Sequence, residues 1–383
     1  MLNNHMILIK KTCLILLLLG FVSVLHSATL SGIQNGTTTL TAGVSSVTQA
    51  ITTITLSQSF LVFNIRVNDA DPGDYMVGGF VSATNQLTFN RNNAGGSPIV
   101  IIEWQVFSFS SGVNVQRGTV TNLAAAGANV TITAVNLSRS FATVNVRKDG
   151  AQYGSDDGVT ADLTTTNNLF LDREAGGADP QFVYWQVIEW TGSSVQKITA
   201  TLNNGVDSVS TTLGTSVNKS RTMIVGSHRQ SGDLNDDDIA STELLNNTTV
   251  IFTRVGTANT LSFVYYVVEF SDNTDVVHGS IRMLSSENLV STAICSVTAA
   301  QSGILPPSCY FRAGSNCRTA DDNMGFGWAT MVLTNGTLVT AQRANTGSAA
   351  RFPFQVLEFT ASTPTGCGAT LPGNSTPRTG GLC

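Results

Sequence analysis

Charge is scarce in this chain. Asp, Glu, Lys and Arg make up 12% of its 383 residues, about half of the roughly 25% usual in soluble domains. That shortage excludes a coiled coil and a long charged helix, both of which need Glu, Lys and Arg in quantity. Basic residues number 20 against 25 acidic ones, a net charge of −5, so nucleic-acid binding has no electrostatic basis. Histidine is scarcer still. There are four, and His5 and His26 fall in the first 27 residues, leaving His228 and His278. Neither has a His or Cys nearby at metal-ligand spacing. No Gly-x-Ser-x-Gly elbow occurs, nor a phosphate loop or dinucleotide fingerprint. These absences predict a protein that is not an enzyme and has no cofactor, one calcium reading aside. The 42% of hydrophobic residues supply a core and argue against a disordered chain.

Residues 1–27 read as a secretory signal peptide. Lys10 and Lys11 form the positive region, an apolar run follows from Leu14 to Leu25, and Ser27 is the small residue at the cleavage site. The run is shorter than the roughly 20 residues of a membrane span. Cys13 precedes the run, which opposes a lipoprotein. Cleavage removes two lysines and no acid, taking the charge from −5 to −7. No later stretch is long and apolar enough to span a bilayer. The expected destination is the cell surface or the exterior.

The remainder is repetitive. One signature is an aromatic, usually Gln, then Val, closing on Phe or Trp. It occurs at Trp104-Gln105-Val106-Phe107-Ser108-Phe109, Trp185-Gln186-Val187-Ile188-Glu189-Trp190, Tyr265-Tyr266-Val267-Val268-Glu269-Phe270 and Phe354-Gln355-Val356-Leu357-Glu358-Phe359. Its steps are 81, 80 and 89 residues. A second signature ends on Arg91, Arg173, Arg254 and Arg343, with steps of 82, 81 and 89. Ser57-Gln58-Ser59-Phe60 matches Ser138-Arg139-Ser140-Phe141, and Val115-Gln116-Arg117-Gly118 matches Val195-Gln196-Lys197-Ile198 and Val276-Val277-His278-Gly279. Several signatures in one order at one spacing define a repeat array.

Each unit reads as β. Val130 to Val135 alternates, Phe141 to Arg147 follows a Ser-rich turn, and Asn/Gly clusters separate the runs. About 80 residues hold roughly six or seven strands, enough for one antiparallel sandwich. The expected fold is all-β, a tandem array of four small antiparallel β-sandwich units. The divisions are 1–27 signal peptide, 28–112, 113–193, 194–274, 275–361 with an insertion, and a Gly/Pro/Thr-rich tail at 362–383. In the closing strand Trp185, Val187 and Glu189 share one face, and Gln186, Ile188 and Trp190 the other. Both faces are partly apolar. Two readings stand: a strand buried within its own unit, or a contact between units or chains.

Acidic clusters precede each fourth strand: Asp69, Asp71 and Asp74; Asp156 and Asp157; Asp236, Asp237 and Asp238; Asp321 and Asp322. The best calcium candidate is Asp233, Asn235 and Asp237, spaced like the start of a calcium loop; a solvated Asp-rich turn is the alternative. The recurring arginines read as solvated edge residues. Glu189, Glu269 and Glu358 recur without a second acid at a set distance, so paired-carboxylate hydrolysis lacks its partner. After cleavage five cysteines remain, Cys295, Cys309, Cys317, Cys367 and Cys383. They are the disulfide candidates of an oxidising destination, and at least one bridge is expected among the first three. Five is odd, leaving one free, bridging chains, or parted from its partner in a fragment.

The Trp-Gln-Val-x-Glu-Phe ending, with Val-Gln-x-Gly about 70 residues before it, resembles the repeats of secreted bacterial β-repeat proteins. The layout of 113–190 is also similar to the H-type lectin module. That resemblance implies a six-stranded antiparallel sandwich closing on a Trp-containing strand, and it carries over no sugar-contact residue. The expected function is multivalent binding or adhesion to a cell-surface glycan or protein. The alternatives are a structural subunit that contacts sister subunits in a filament or coat, and a lectin-like carbohydrate binder.

Overall fold

A computed structural model describes residues 27–67, 76–92, 98–124, 127–148, 158–174, 181–232, 240–254, 256–305, 328–347 and 349–359. The protein is all-β. Its described strands form eight three-stranded antiparallel sheets, two in each of four consecutive sets of six strands. The first repeat runs β1 (Thr29–Leu40), β2 (Ser46–Ala50), β3 (Ser59–Val67), β4 (Gly78–Ala83), β5 (Gln86–Asn90) and β6 (Val100–Ser111). The second runs β7 (Val113–Thr121), β8 (Ala128–Thr131), β9 (Ser140–Lys148), β10 (Val159–Thr165), β11 (Asn168–Arg173) and β12 (Gln181–Trp190). The third runs β13 (Ser193–Leu202), β14 (Ser208–Thr212), β15 (Thr222–Gln230), β16 (Ser241–Asn246), β17 (Thr249–Thr253) and β18 (Leu261–Phe270). The fourth runs β19 (Thr274–Met283), β20 (Leu289–Ala293), β21 (Ser302–Leu305), β22 (Ala329–Asn335), β23 (Leu338–Arg343) and β24 (Ala350–Phe359). In every repeat the sixth strand lies between the first and third, and the fifth between the second and fourth.

Local chemistry repeats with the strands. β11 alternates half-buried and buried residues along Asn168–Arg173, as a strand with one face on a core should. Two residues join each fourth strand to its fifth, and the turn carbonyls are taken by the segment after the second strand. Ile51 and Ile54 donate to Asn85 and Thr84; Ile132 and Val135 donate to Asn167 and Thr166; Leu213 and Val217, then Ile294 and Val297, do the same to their own turns. This corrects one expected strand. The alternating run from Val130 to Val135 leaves the ladder after Thr131, because Ile132 and Val135 bond to the turn instead. A single 3-10 turn then leads into each third strand. The hydroxyls of Ser140, Thr222 and Ser302 close it by donating to the carbonyls of Asn136, Asn218 and Thr298 at 2.7, 2.7 and 2.9 Å.

The recurring arginines are not solvated. Arg91, Arg173, Arg254 and Arg343 are 1%, 8%, 4% and 1% exposed. Arg91 donates to the carbonyls of Val44, Pro98 and Thr41. Arg254 donates to Val206, Asn259 and Asn203, Arg343 to Glu287 and Leu284, and Arg173 to Leu123. Each guanidinium collects carbonyls of the connection between first and second strands. That connection folds over the arginine, so its place beside a turn does not expose it.

The closing strand serves two cores. In the third repeat Phe263, Tyr265 and Val267 pack with Phe252 and Val250 of the same repeat. In the fourth, Phe352, Phe354 and Val356 pack with Val339 and Ala341. The opposite faces, carrying Tyr266, Val268 and Phe270, and Leu357 and Phe359, join a cluster shared with Phe109 and Trp190. Of the two readings of that second face, the structure shows contact between repeats.

Candidate functional site

The repeats close into a ring. β3 and β4 meet β7, β9 and β12; β9 and β10 meet β15 and β18; β15 and β16 meet β19 and β24; β22 and β23 return to β3 and β6. At the centre stand the last aromatics of the four closing strands. Trp190 lies 4.8 Å from Phe109, 5.0 Å from Phe270 and 5.9 Å from Phe359, ring centroid to ring centroid. Phe109 and Phe359 are 5.6 Å apart. These edge-on and offset arrangements are the ones aromatic quadrupoles favour. The Trp190 indole N–H donates to Asp272 at 3.0 Å, whose carboxyl is raised by burial, opposed by the bonds from Trp190 and Thr274. The linkers beside the aromatics are bonded in series: Thr191 donates to the carbonyl of Gly112, and Ser271 to that of Gly192. Gly112 has φ +77°, and a Cβ there would sit 2.5 Å from the Ala28 backbone, so glycine is required.

The glutamine of the closing signature joins one repeat to the one before. Gln186 donates to the Leu61 carbonyl at 2.9 Å and accepts the Leu61 amide at 3.0 Å. Gln355 treats Ile224 the same way at 2.8 and 2.7 Å. Gln105 treats Ile304 so at 2.8 and 3.0 Å, which ties the first repeat to the fourth. The third repeat has Tyr266 here. Its hydroxyl donates to Ala161 and accepts from Leu163, and burial raises its pKa. The facing residue is Ala142 instead of Leu61, Ile224 or Ile304, so a smaller partner makes room for the larger ring. A second tie runs from the third strand to the fourth strand of the preceding repeat. Asn145 pairs with both backbone groups of Gly79 at 2.8 Å, Ser227 accepts from Ala161 at 2.9 Å, and Asn64 accepts from Met331 at 3.0 Å.

One position of the first strand reaches across each of the three junctions that follow it. Arg117 donates to the carbonyls of Leu56 and Ser59. His278 Nε2 lies 3.1 and 2.8 Å from the matching carbonyls of Lys219 and Thr222. Lys197 instead pairs with Asp162 at 2.6 Å. Burial lowers the Arg117 pKa to about 10. Burial, then the Lys219 charge, lowers His278 to about 4. It is neutral at pH 7, with Nε2–H as the donor.

The recurring glutamates have structural partners. Glu189 pairs with Arg139 at 2.6 Å, Glu269 accepts the Asn218 amide at 2.7 Å, and Glu358 accepts the Thr298 amide at 2.6 Å. In all three repeats the acid holds the 3-10 turn. The calcium candidates Asp233, Asn235 and Asp237 lie outside the described residues, as do the other acidic clusters. Cys295 is a half-buried free thiol; Cys309, Cys317, Cys367 and Cys383 lie outside. Among the described residues no helix is long and apolar enough to cross a membrane.

No protein-family model matches this chain, and no curated protein sequence matches it.

The junction glutamines stand in the repeated signature, but their partners are more than 100 residues away in sequence. The available signal was a glutamine recurring on the face opposite the unit's own core. Asn64 and Asn145 recur 81 residues apart and gave no other sign.

Proposed function

We propose that the mature chain is an exported, non-catalytic protein of the cell surface or extracellular matrix. It adheres through four antiparallel β-sandwich units, each two three-stranded sheets face to face, held in fixed relation by the ring. The observation that carries this reading is the commitment of the shared polar residues. Arg91, Gln186, Glu189 and their counterparts all bond within the array, so the repeated framework is a scaffold and recognition falls to what differs between units. First and third strands run parallel in every repeat, so the connections after the first, third and fifth strands leave from one end. Four sets of connections on one ring bind multivalently, with gains of about 10²–10⁴ over one set when the geometry matches. The partner is a cell-surface glycan or protein. A filament built by continuing the same junction is disfavoured, because the fourth repeat already engages the first through Gln105 and Asn64.

The test uses the mature chain from Ala28 on a glycan panel and on the producing cell's envelope, with and without chelator. Replacing residues 69–74, 149–157, 233–238 or 308–322 by Gly/Ser, one segment at a time, should lower avidity in each case. Chelator sensitivity lost with 233–238 would place calcium at Asp233, Asn235 and Asp237. Ordered polymers under the electron microscope, with no binding to either surface, would replace adhesion by the structural reading.

A further inference from the structure

A groove opens along the first repeat, between β1 of one sheet and the end of β2 of the other. It holds about 740 Å³, within the roughly 300–1,000 Å³ of small-molecule clefts. Two hydrogen-bonded rungs cross it. At one end Gln34 donates to the Thr52 carbonyl at 3.0 Å and accepts the Thr52 amide at 2.6 Å. At the other, Thr38 donates to Gln49 Oε1 at 2.8 Å and accepts from the Trp104 indole N–H at 3.0 Å. Gln49 Nε2 in turn donates to the Ala50 carbonyl at 2.8 Å. Gln34 and Thr38 stand roughly 13–14 Å apart along β1. Between them lies Gly36, where a Cβ would sit 2.7 Å from the Trp104 ring. The missing side chain leaves that ring as the floor of the groove.

The other repeats lack this frame. Register puts Val120, Ala200 and Ile281 at the Thr38 position, and Val130, Thr211 and Thr292 at that of Gln49. The Gln34 rung recurs as Gln116 with Thr133 and Gln196 with Thr215, so it belongs to the shared scaffold. The rung from Thr38 to Gln49 belongs to the first repeat. No side chain lining the groove is charged, so an ion entering it would lose water and find no counter-charge. Gln34 and Gln49 are half-buried. Each has one amide N–H and one carbonyl lone pair not used by its rung, which suits a hydroxyl group, both donor and acceptor. The Thr52 hydroxyl is exposed beside them, and Ile33, Ile51 and Trp104 supply the apolar part of the lining.

We infer that this groove binds a neutral saccharide of one or two rings. Its hydroxyls bond to Gln34, Gln49 and Thr52, and its C–H surface rests against Ile51 and Trp104. The inference rests on the adhesion reading and gives the first repeat a glycan contact separate from the connections at the ring's end.

The experiment is calorimetric titration of the full mature chain at pH 7 with lactose, cellobiose and diacetylchitobiose, and with galacturonate as the charged counterpart. Saturable binding of at least one of the neutral disaccharides, and not of galacturonate, is expected. The near-isosteric Gln49→Leu should weaken it about fivefold. Gln116→Leu, at the matching scaffold rung of the second repeat, should leave it unchanged. Melting curves confirm that each variant is folded. Replacing residues 233–238 by Gly/Ser should leave disaccharide binding intact whatever it does to adhesion, so the groove and the wider adhesion reading fail separately. The inference is overturned if none of the three disaccharides gives saturable heat at millimolar concentration, if galacturonate binds equally well, or if folded Gln49→Leu binds like the parent.

Discussion

Replacing Trp190 by alanine tests whether the ring is held at its centre. The side chain is fully buried and stands within 6 Å of Phe109, Phe270 and Phe359, which come from the other three repeats. Truncating a buried large aromatic costs about 3–5 kcal/mol through lost transfer energy and the cavity left behind. The cavity lies among three other chain segments, so collapse of one repeat cannot fill it. Asp272 also loses the indole donor while remaining buried, adding on the order of 1 kcal/mol. The expected loss for Trp190→Ala is therefore about 4–6 kcal/mol. Trp190→Phe keeps most of the ring contacts and removes the bond to Asp272, so it should cost about 1–3 kcal/mol. Urea unfolding followed by fluorescence gives both values, and the m-value reports whether the four repeats still unfold together. Scattering gives the radius of the folded state. A loss below about 1 kcal/mol for Trp190→Ala, with unchanged m-value and radius, would mean that the central aromatics do not couple the repeats.

Gln186→Ala leaves both backbone groups of Leu61 unpaired across the first junction. It should cost about 2–4 kcal/mol and speed exchange of the Leu61 amide, read by hydrogen exchange. Arg91→Lys should cost about 2–3 kcal/mol in urea unfolding, since one ammonium nitrogen cannot reach three carbonyls spaced around the edge of a guanidinium, whereas Arg139→Lys at a partly exposed ion pair should cost under about 1. His278 stays neutral when folded down to about pH 4, while the unfolded chain takes its proton near pH 6.5. The unfolded state thus binds more protons in this window, and stability falls as pH drops from 6.5 towards 4. By pH 5 the His278 share is about 2 kcal/mol, and His278→Gln, which can still donate to Thr222 and lacks the titration, should flatten the profile by that amount.

Spacing made the repeats, their β character and the buried tryptophans legible. Trp104 and Trp185 occupy matching buried positions, as expected of residues at one place in a repeated strand pattern. Alternation also showed that β12 carries two apolar faces. What covers Trp190 was not legible, because the answer lies in residues 80 to 170 positions away and depends on the angle between repeats. The arginines were misread for a related reason. A residue beside a turn looks exposed in a strand pattern, and only the fold of a different connection over it shows otherwise. The exchange of Gln for Tyr266 and of Leu or Ile for Ala142 is compensation between two repeats, and each half alone reads as a lapse in the pattern.

An open array of stacked repeats can lengthen or shorten by whole units, provided its two ends are capped. This ring has no ends. The side chains that a fifth copy would need are already engaged, those of the first repeat by the fourth. Duplication or loss of one copy would change the angle every junction must turn through. Copy number is therefore a property of the junction geometry, and unequal recombination within this gene is expected to yield misassembled products rather than a graded series of longer and shorter proteins.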